Sequence, residues 1–222
     1  MKENYMRNYL PNTDIYLTQR RDMFRMNTDT ALLGNFMKCD EGDSVLDIGT
    51  NNGALLLYAN RHNPSLLCGI DVFEEAIVLC EQNLKDNNIT NYELYHTRVQ
   101  DFKHERFDVI ICNPPYFHNT ENSTTLSENE YMRVARHEVN LKMEELFEAV
   151  GRLLKDDGVF YMVHRANRLD DILELAKKHR MGVRNLQFIY DENNDNAVQV
   201  LVEANKNLCH NINILRPKYI TR

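Results

Sequence analysis

From Ser44 onward, short aliphatic and β-branched runs alternate with longer segments of helical period, and no other feature of the chain restricts its fold as much. The strand candidates are SVLDI, LLCGID, YELYHT, FDVIICN, VFYMVH, NLQFIY and AVQVLVEA, with ALLLYANRH, EEAIVLCEQNLKDN, KMEELFEAVGRLLKDDG and RLDDILELAKKHRMG as the helical patterns. Strands that alternate with helices predict a mainly parallel sheet covered by helices. In the second helical pattern Ile77, Cys80 and Leu84 fall on one face, as a helix packed on a sheet requires. Gly158 and Gly182 are expected to end the last two helices in a left-handed cap. With 222 residues, 43% of them hydrophobic, the chain can bury one core. Residues 1–43 read as an N-terminal extension, partly helical through TDTALLGNFMK, and residues 44–222 as the domain.

Composition excludes several classes. No apolar run approaches the roughly 20 residues that span a bilayer, and MKENYMRNYL has no signal-peptide core, so a cytoplasmic protein without a membrane partner is expected. Cys39, Cys68, Cys80, Cys112 and Cys209 are scattered, without CxxC or a Cys/His cluster, which suggests neither a disulfide framework nor a metal site. The net charge of -7 argues against a protein that coats nucleic acid indiscriminately, yet leaves room for a local basic face. Nothing in the chain marks an oligomeric state, and a monomer is expected.

The chemistry-bearing residues gather at strand ends. VLDIGTNNG places Asp47 at the end of a buried strand, then Gly49 for close approach of a ligand, Asn51, and Gly53 opening the next helix. The next strand ends in GID: Asp71, followed by Val72, stands where an acidic side chain can take the hydroxyls of a ribose, with a helix cap as the lesser alternative. Beyond the third strand, Asp101 and Phe102 lie where such folds meet an adenine ring; Asp101 as an ordinary turn residue is the alternative. The fourth strand ends in CNPPYF, in which two prolines stop the ladder and stiffen the turn behind Asn113. Four successive strand ends thus converge on one crevice, the ligand site of an open α/β sheet. NPPY alone could be a rigid surface turn.

LDIGTNNG, GID, QD and NPPY, in this order, resemble the class I S-adenosylmethionine-dependent methyltransferases, and the chain is most similar to the tRNA1(Val) adenine-37 N6-methyltransferase family. FRMNTDTALLGNF, ARHE, VHRANRL and AVQVLVEANK extend the likeness over nearly the whole chain. Many members have glycine where Asn51 stands, a residue that tolerates the left-handed conformation better than most. The resemblance implies a Rossmann-like α/β fold with a seven-stranded, mostly parallel sheet and helices on both faces. It implies S-adenosyl-L-methionine as cofactor, tRNA as substrate, and no metal. It also places the N-terminal segment over the cofactor, so that Thr28, with Asp29 beside it, becomes a candidate contact; as bare sequence either residue reads as a helix cap.

The residues also argue for the reaction. The exocyclic amine of adenine is a poor nucleophile because its lone pair is delocalised into the ring. Two acceptors aimed at its hydrogens, the Asn113 side-chain carbonyl and the Pro114 backbone carbonyl held by Pro115, would localise that pair and stabilise the charge developing on nitrogen. Tyr116 and Phe117 would stack on the base, while Asn113 also borders the cofactor. Arg133, Arg136 and His137, with KKHR (177–180) and RPK (216–218), are candidate phosphate contacts. Two rivals stay open: a protein-glutamine N5-methyltransferase acting on release factors through the same NPPY chemistry, and a non-catalytic RNA-binding module on the same fold.

Overall fold

The computed structural model describes residues 4–114, 141–207 and 211–221. Its first element is a hairpin of β1 (Tyr5–Tyr9) and β2 (Tyr16–Arg20), followed by α1 (Thr28–Phe36). The alternating region then gives β3 (Ser44–Ile48), α2 (Ala54–Asn60), β4 (Leu66–Asp71), α3 (Glu74–Asp86), β5 (Tyr92–His96) and β6 (Phe107–Cys112). After the undescribed stretch come α4 (Met143–Leu153), β7 (Leu154–Arg165), α5 (Leu169–Lys178), β8 (Gly182–Asp191) and β9 (Ala197–Asn205). The short strands β10 (Asn213–Ile214) and β11 (Lys218–Ile220) close the series.

The seven expected strands line up as β5-β4-β3-β6-β7-β9-β8, and β10 and β11 both pair with β8, making nine strands in the sheet among the described residues. Only β9 runs antiparallel to its neighbours β7 and β8. Strand order starts at β3 in the centre, runs outward through β4 and β5, and resumes on the other side with β6. Between β3 and β6, therefore, the crossovers leave in opposite directions and a crevice opens at the carboxyl ends.

Alternation along each strand feeds two cores. Leu46, Ile48, Ile110 and Cys112 face α4 and α5, whose Leu146, Phe147, Val150, Ile172 and Ala176 complete one cluster. Val45, Val109 and Ile111 face the other way, against Leu33 of α1, Leu55 to Ala59 of α2 and Cys80 and Leu84 of α3. Helix α2 buries Ala54 through Ala59 on all sides because α1 lies over the face that the sheet does not cover. That packing is close: a Cβ on Gly34 of α1 would stand 2.3 Å from the Tyr58 ring.

Some expectations are corrected. Helix α3 buries Ala76, Leu79, Cys80, Asn83 and Leu84, so the stripe is turned and Ile77 is only half-buried. Helix α4 stops at Leu153, and KDDG enters β7. Gly158 is a close-approach position instead of a cap, since a Cβ there would meet the Asp108 carbonyl oxygen at 2.8 Å. The left-handed residue after α5 is Arg180 (φ 58°), which lets Met181 N–H donate to the Ala176 carbonyl, and Gly182 already belongs to β8. Cys39, Cys68, Cys80 and Cys112 are buried free thiols, while Cys209 lies outside the described residues.

Candidate active site

A cavity of about 490 Å³ opens at the carboxyl ends of β3, β4, β5 and β6. Its floor begins with the β3–α2 turn, where three residues in a row of five have positive φ: Gly49 (74°), Asn51 (49°) and Gly53 (79°). Each has a different reason. Nothing stands within 4 Å of the missing Gly49 Cβ, so the backbone there is bare toward the cavity. Gly53 is the N-cap of α2 and faces away, with Cys80 Sγ 2.7 Å from where a Cβ would be. Asn51 tolerates the left-handed conformation and uses its side chain as well, donating from Nδ2 to the Phe24 carbonyl at 2.8 Å.

Asp71 ends β4 on the cavity wall, 9% exposed. Its Oδ2 accepts from Asn51 N–H at 2.9 Å and its Oδ1 from Phe73 N–H at 3.0 Å. Burial raises its pKa, and the backbone N–H groups of Asn51, Phe73 and Val72 pull it back. Helix α3 takes Phe73 as its N-cap, so Asp71 tethers the turn before the helix and does not cap it. Val72 also lines the cavity, and its carbonyl contacts His96 Nε2 at 2.9 Å.

Strand β6 delivers Asn113 and Pro114 to the same wall. Asn113 Nδ2 donates to Thr30 Oγ1 at 3.1 Å, and Thr30 Oγ1 donates to Asn27 Oδ1 at 3.2 Å. Asn27, the N-cap of α1, also accepts from Thr30 N–H at 3.0 Å. One hydroxyl thus serves as acceptor and donor in a directed chain that turns the Asn113 amide, nitrogen toward α1 and oxygen to the opposite side.

The N-terminal segment contributes Phe24, Arg25, Met26, Asn27 and Thr30 to the wall. It is pinned by polar side chains of the domain. Asn83 of α3 pairs with the backbone of β2 as another strand would, accepting from Thr18 N–H at 2.8 Å and donating to the Thr18 carbonyl at 2.9 Å. The same Nδ2 donates to the Asn52 carbonyl at 2.9 Å, so the hairpin and the β3–α2 turn share one anchor. Within the segment itself, Gln19 Oε1 of β2 accepts from Met26 N–H at 2.8 Å.

Gly49, Asn51, Asp71, Val72, Asn113 and Pro114 come together on the cavity wall as expected. Several other candidates do not. Asp47 is 1% exposed beneath the loop, and neither carboxylate oxygen makes a well-formed hydrogen bond among the described residues, the Thr50 side chain favouring its charged form only in part. Burial pushes that carboxyl up to about 7. Asp101 is exposed on a turn whose N–H bonds to the Arg98 carbonyl; Thr97, Arg98, Val99 and Gln100 form the wall instead. Phe102 is 4% exposed inside the core, and Arg152 clamps that turn from below through the Phe102 and Val99 carbonyls at 2.6 and 2.9 Å. Thr28 is exposed at the start of α1, and neither it nor Asp29 lines the cavity; the cap is Asn27. Lys178 of KKHR is engaged in an ion pair with Glu144. Pro115, Tyr116, Phe117, Arg133, Arg136 and His137 lie outside the described residues. Thr30, Gln100 and Arg165 are wall residues that sequence reasoning missed. Thr30 carried a faint signal, three residues after an Asn at a helix start.

Comparison with known proteins agrees with this geometry. The methyltransferase small domain family matches residues 23–185. The curated tRNA1(Val) (adenine(37)-N6)-methyltransferase of Dyadobacter fermentans is 29% identical over 209 residues, covering 91% of this chain and 85% of its own. The protein of that name from Pedobacter heparinus is 29% identical, covering 80% of this chain and 76% of its own. Among solved structures, M. jannaschii TYW2 in complex with AdoMet superposes with a TM-score of 0.65 at 15% identity, over 92% of this chain and 86% of that one. The T. Thermophilus 16S rRNA N2 G1207 methyltransferase, in complex with AdoMet and guanosine, gives 0.64 at 16% identity, over 91% of this chain and 50% of that one. A class I methyltransferase sheet, a crevice at its switch point and a family match over most of its length lead to one conclusion: this chain belongs to the methyltransferase small domain family.

Proposed function

We propose that the protein transfers a methyl group from S-adenosylmethionine to N6 of an adenine in tRNA, and that the base is adenine 37 of tRNA1(Val). The observation that carries this reading is that Asn113 and Pro114 stand on the wall of the cavity that also holds Gly49 and Asp71. A cofactor loop and an amine-binding turn meet there in one space. The names of the curated relatives, which align over most of this chain, support tRNA and the adenine as the acceptor.

The cavity fits the cofactor. Its volume of about 490 Å³ lies in the range of small-molecule sites. Bare backbone at Gly49 admits the amino-acid portion, the Asp71 carboxylate keeps lone pairs for two ribose hydroxyls, and Val72, Val99 and Gln100 border the place of the adenine. When bound, S-adenosylmethionine supplies an electrophilic methyl group. The N-terminal extension, residues 1–43, covers it through Phe24, Met26 and Thr30.

The remaining work falls to the chain. The Asn113 amide oxygen, held by the Thr30 chain, accepts one hydrogen of the target amine, and the Pro114 carbonyl accepts the other. The Asn113 dipole is in place before charge develops on N6, so this acceptor needs no reorganisation; one such preorganised contact is worth about 100- to 1,000-fold in rate. After transfer N6 releases its extra proton to solvent, since Asn113 cannot act as a base. Tyr116 and Phe117, which lie outside the described residues, are the residues we assign to stack on the base.

The test uses labelled methyl donor with unmodified tRNA in one reaction and release factor in another, followed by nucleoside analysis. N6-methyladenosine in the tRNA is the expected product. Label in release factor alone would transfer the assignment to glutamine methylation, and label in neither would leave a binding module.

A further inference from the structure

One face of the N-terminal hairpin packs against no other element among the described residues. In the β1–β2 register Tyr5 opposes Arg20, Arg7 opposes Thr18 and Tyr9 opposes Tyr16. Opposed residues point to the same side, so these six form one face, while Leu17 (0% exposed) and Gln19 (4%) point into the protein. The outward tyrosines are exposed by 47% (Tyr5), 54% (Tyr9) and 38% (Tyr16). The Arg7 guanidinium lies 4.3 Å over the Tyr16 ring, and the Tyr9 and Tyr16 rings pack with centroids 4.0 Å apart.

Tyrosine at alternate positions of a strand normally packs on something. Here the rings are spent on solvent, and arginine lies among them. Charge names the occupant: the first 25 residues hold five Lys and Arg against three Asp and Glu, in a chain whose net charge is -7. Arg20 is neutralised by Asp22, with N–O distances of 2.6 and 3.0 Å, so Arg7 is the cation this face presents. Exposed aromatic rings interleaved with arginine suit single-stranded nucleic acid, whose bases stack and whose phosphates pair. The face is also continuous with the site, because the chain leaving β2 becomes the cavity wall at Phe24 to Asn27, with Gln19 bonded to Met26 N–H, and Asn83 ties the hairpin to the cofactor loop.

We infer that the Tyr5–Arg7–Tyr9–Tyr16 face of the hairpin is an RNA-docking surface that stacks unpaired nucleotides flanking the methylated adenine. This rests on the tRNA reading above. The substrate's loop bases lie on the tyrosine rings, a backbone phosphate meets Arg7, and the target adenine continues into the cavity.

The experiment measures steady-state methylation of a tRNA transcript by the parent, by Tyr5→Ser/Arg7→Gln and by Tyr5→Phe. All three leave intact the Tyr9–Tyr16 pair that joins the two strands. Calorimetry with S-adenosylhomocysteine monitors the cavity. Loss of one stacked ring and one phosphate contact is expected to raise KM for tRNA by about tenfold or more, with kcat and S-adenosylhomocysteine affinity at parent values. Tyr5→Phe keeps the ring and should keep the parent KM. A parent KM in Tyr5→Ser/Arg7→Gln, or an equal loss in Tyr5→Phe, overturns the docking surface while the tRNA reading stands. A parent protein that methylates no tRNA overturns both.

Discussion

Replacing Thr30 by valine tests the mechanism at the point where the structure is most specific. The substitution is nearly isosteric and removes only the hydroxyl, which accepts from Asn113 Nδ2 at 3.1 Å and donates to Asn27 Oδ1 at 3.2 Å. The α1 cap survives, because Thr30 N–H still donates to Asn27 Oδ1. Two lost hydrogen bonds lower stability by about 1 to 2 kcal/mol. For catalysis the relevant loss is the orientation of the Asn113 amide, which was held by one of those bonds. If about 1.4 to 2 kcal/mol of that restraint is realised in the transition state, kcat falls roughly 10- to 30-fold. Complete removal of the acceptor, Asn113→Ala, should cost about 100-fold or more. The assay is single-turnover methylation of a tRNA transcript with N6-methyladenosine quantified, alongside S-adenosylhomocysteine affinity. Thr30→Ser keeps the hydroxyl and should restore most of the rate, and Thr30→Val should add almost nothing in an Asn113→Ala background. A Thr30→Val enzyme at parent speed, or a Thr30→Ser enzyme as slow as Thr30→Val, would refute the positioning role.

Three further outcomes follow from the site and its packing. Asp71→Ala should weaken S-adenosylhomocysteine binding by about 100-fold or more, two charge-assisted hydrogen bonds to hydroxyls being worth about 3 kcal/mol or more; unaltered affinity by calorimetry would remove Asp71 from the ligand. Asp47 has a folded pKa raised by burial from 3.8 to about 7, so its stabilising contribution is complete below pH 4 and is lost as pH climbs through 7. Asp47→Asn should therefore resist urea better than the parent at pH 8, by at most ~4 kcal/mol, and the advantage should shrink toward pH 5; equal pH profiles would contradict the raised pKa. Gly34→Ala drives a methyl group to 2.3 Å from the buried Tyr58 ring, where overpacking costs about 1 to 3 kcal/mol. Its thermal midpoint should fall by several degrees, and a parent-like midpoint would show that α1 can shift away from α2.

The sequence was most legible where local and global demands coincide. Strand β3 and the turn behind it need a buried apolar run, a bare backbone and left-handed residues, and each demand leaves its own residue type at Gly49, Asn51 and Gly53. The errors arose where a type was read without its direction. Asp101 and Gln100 are neighbours, and only the turn wound on the Arg98 carbonyl decides that Gln100 meets the cavity and Asp101 the solvent. Thr28 and Thr30 are both threonines near a helix start, but two residues along a helix turn the side chain by about 200°. Gly182 is the natural cap by residue type, yet Arg180 takes the left-handed position because Met181 N–H reaches back to the Ala176 carbonyl.

By itself the sequence determined the order of strands and helices, and hence the parallel sheet, because the period of burial is written into consecutive residues. It also determined that four strand ends meet at one cavity, since strand ends of such a sheet share one edge. Only the tertiary structure decided what surrounds them. The Thr30 hydroxyl lies 83 positions from Asn113 in sequence and 3.1 Å from it in space. The tyrosine face of the hairpin is visible only once β2 has docked on Asn83. Such relations between distant segments depend on how the layers pack, and packing is a property of the assembled core that no local pattern encodes.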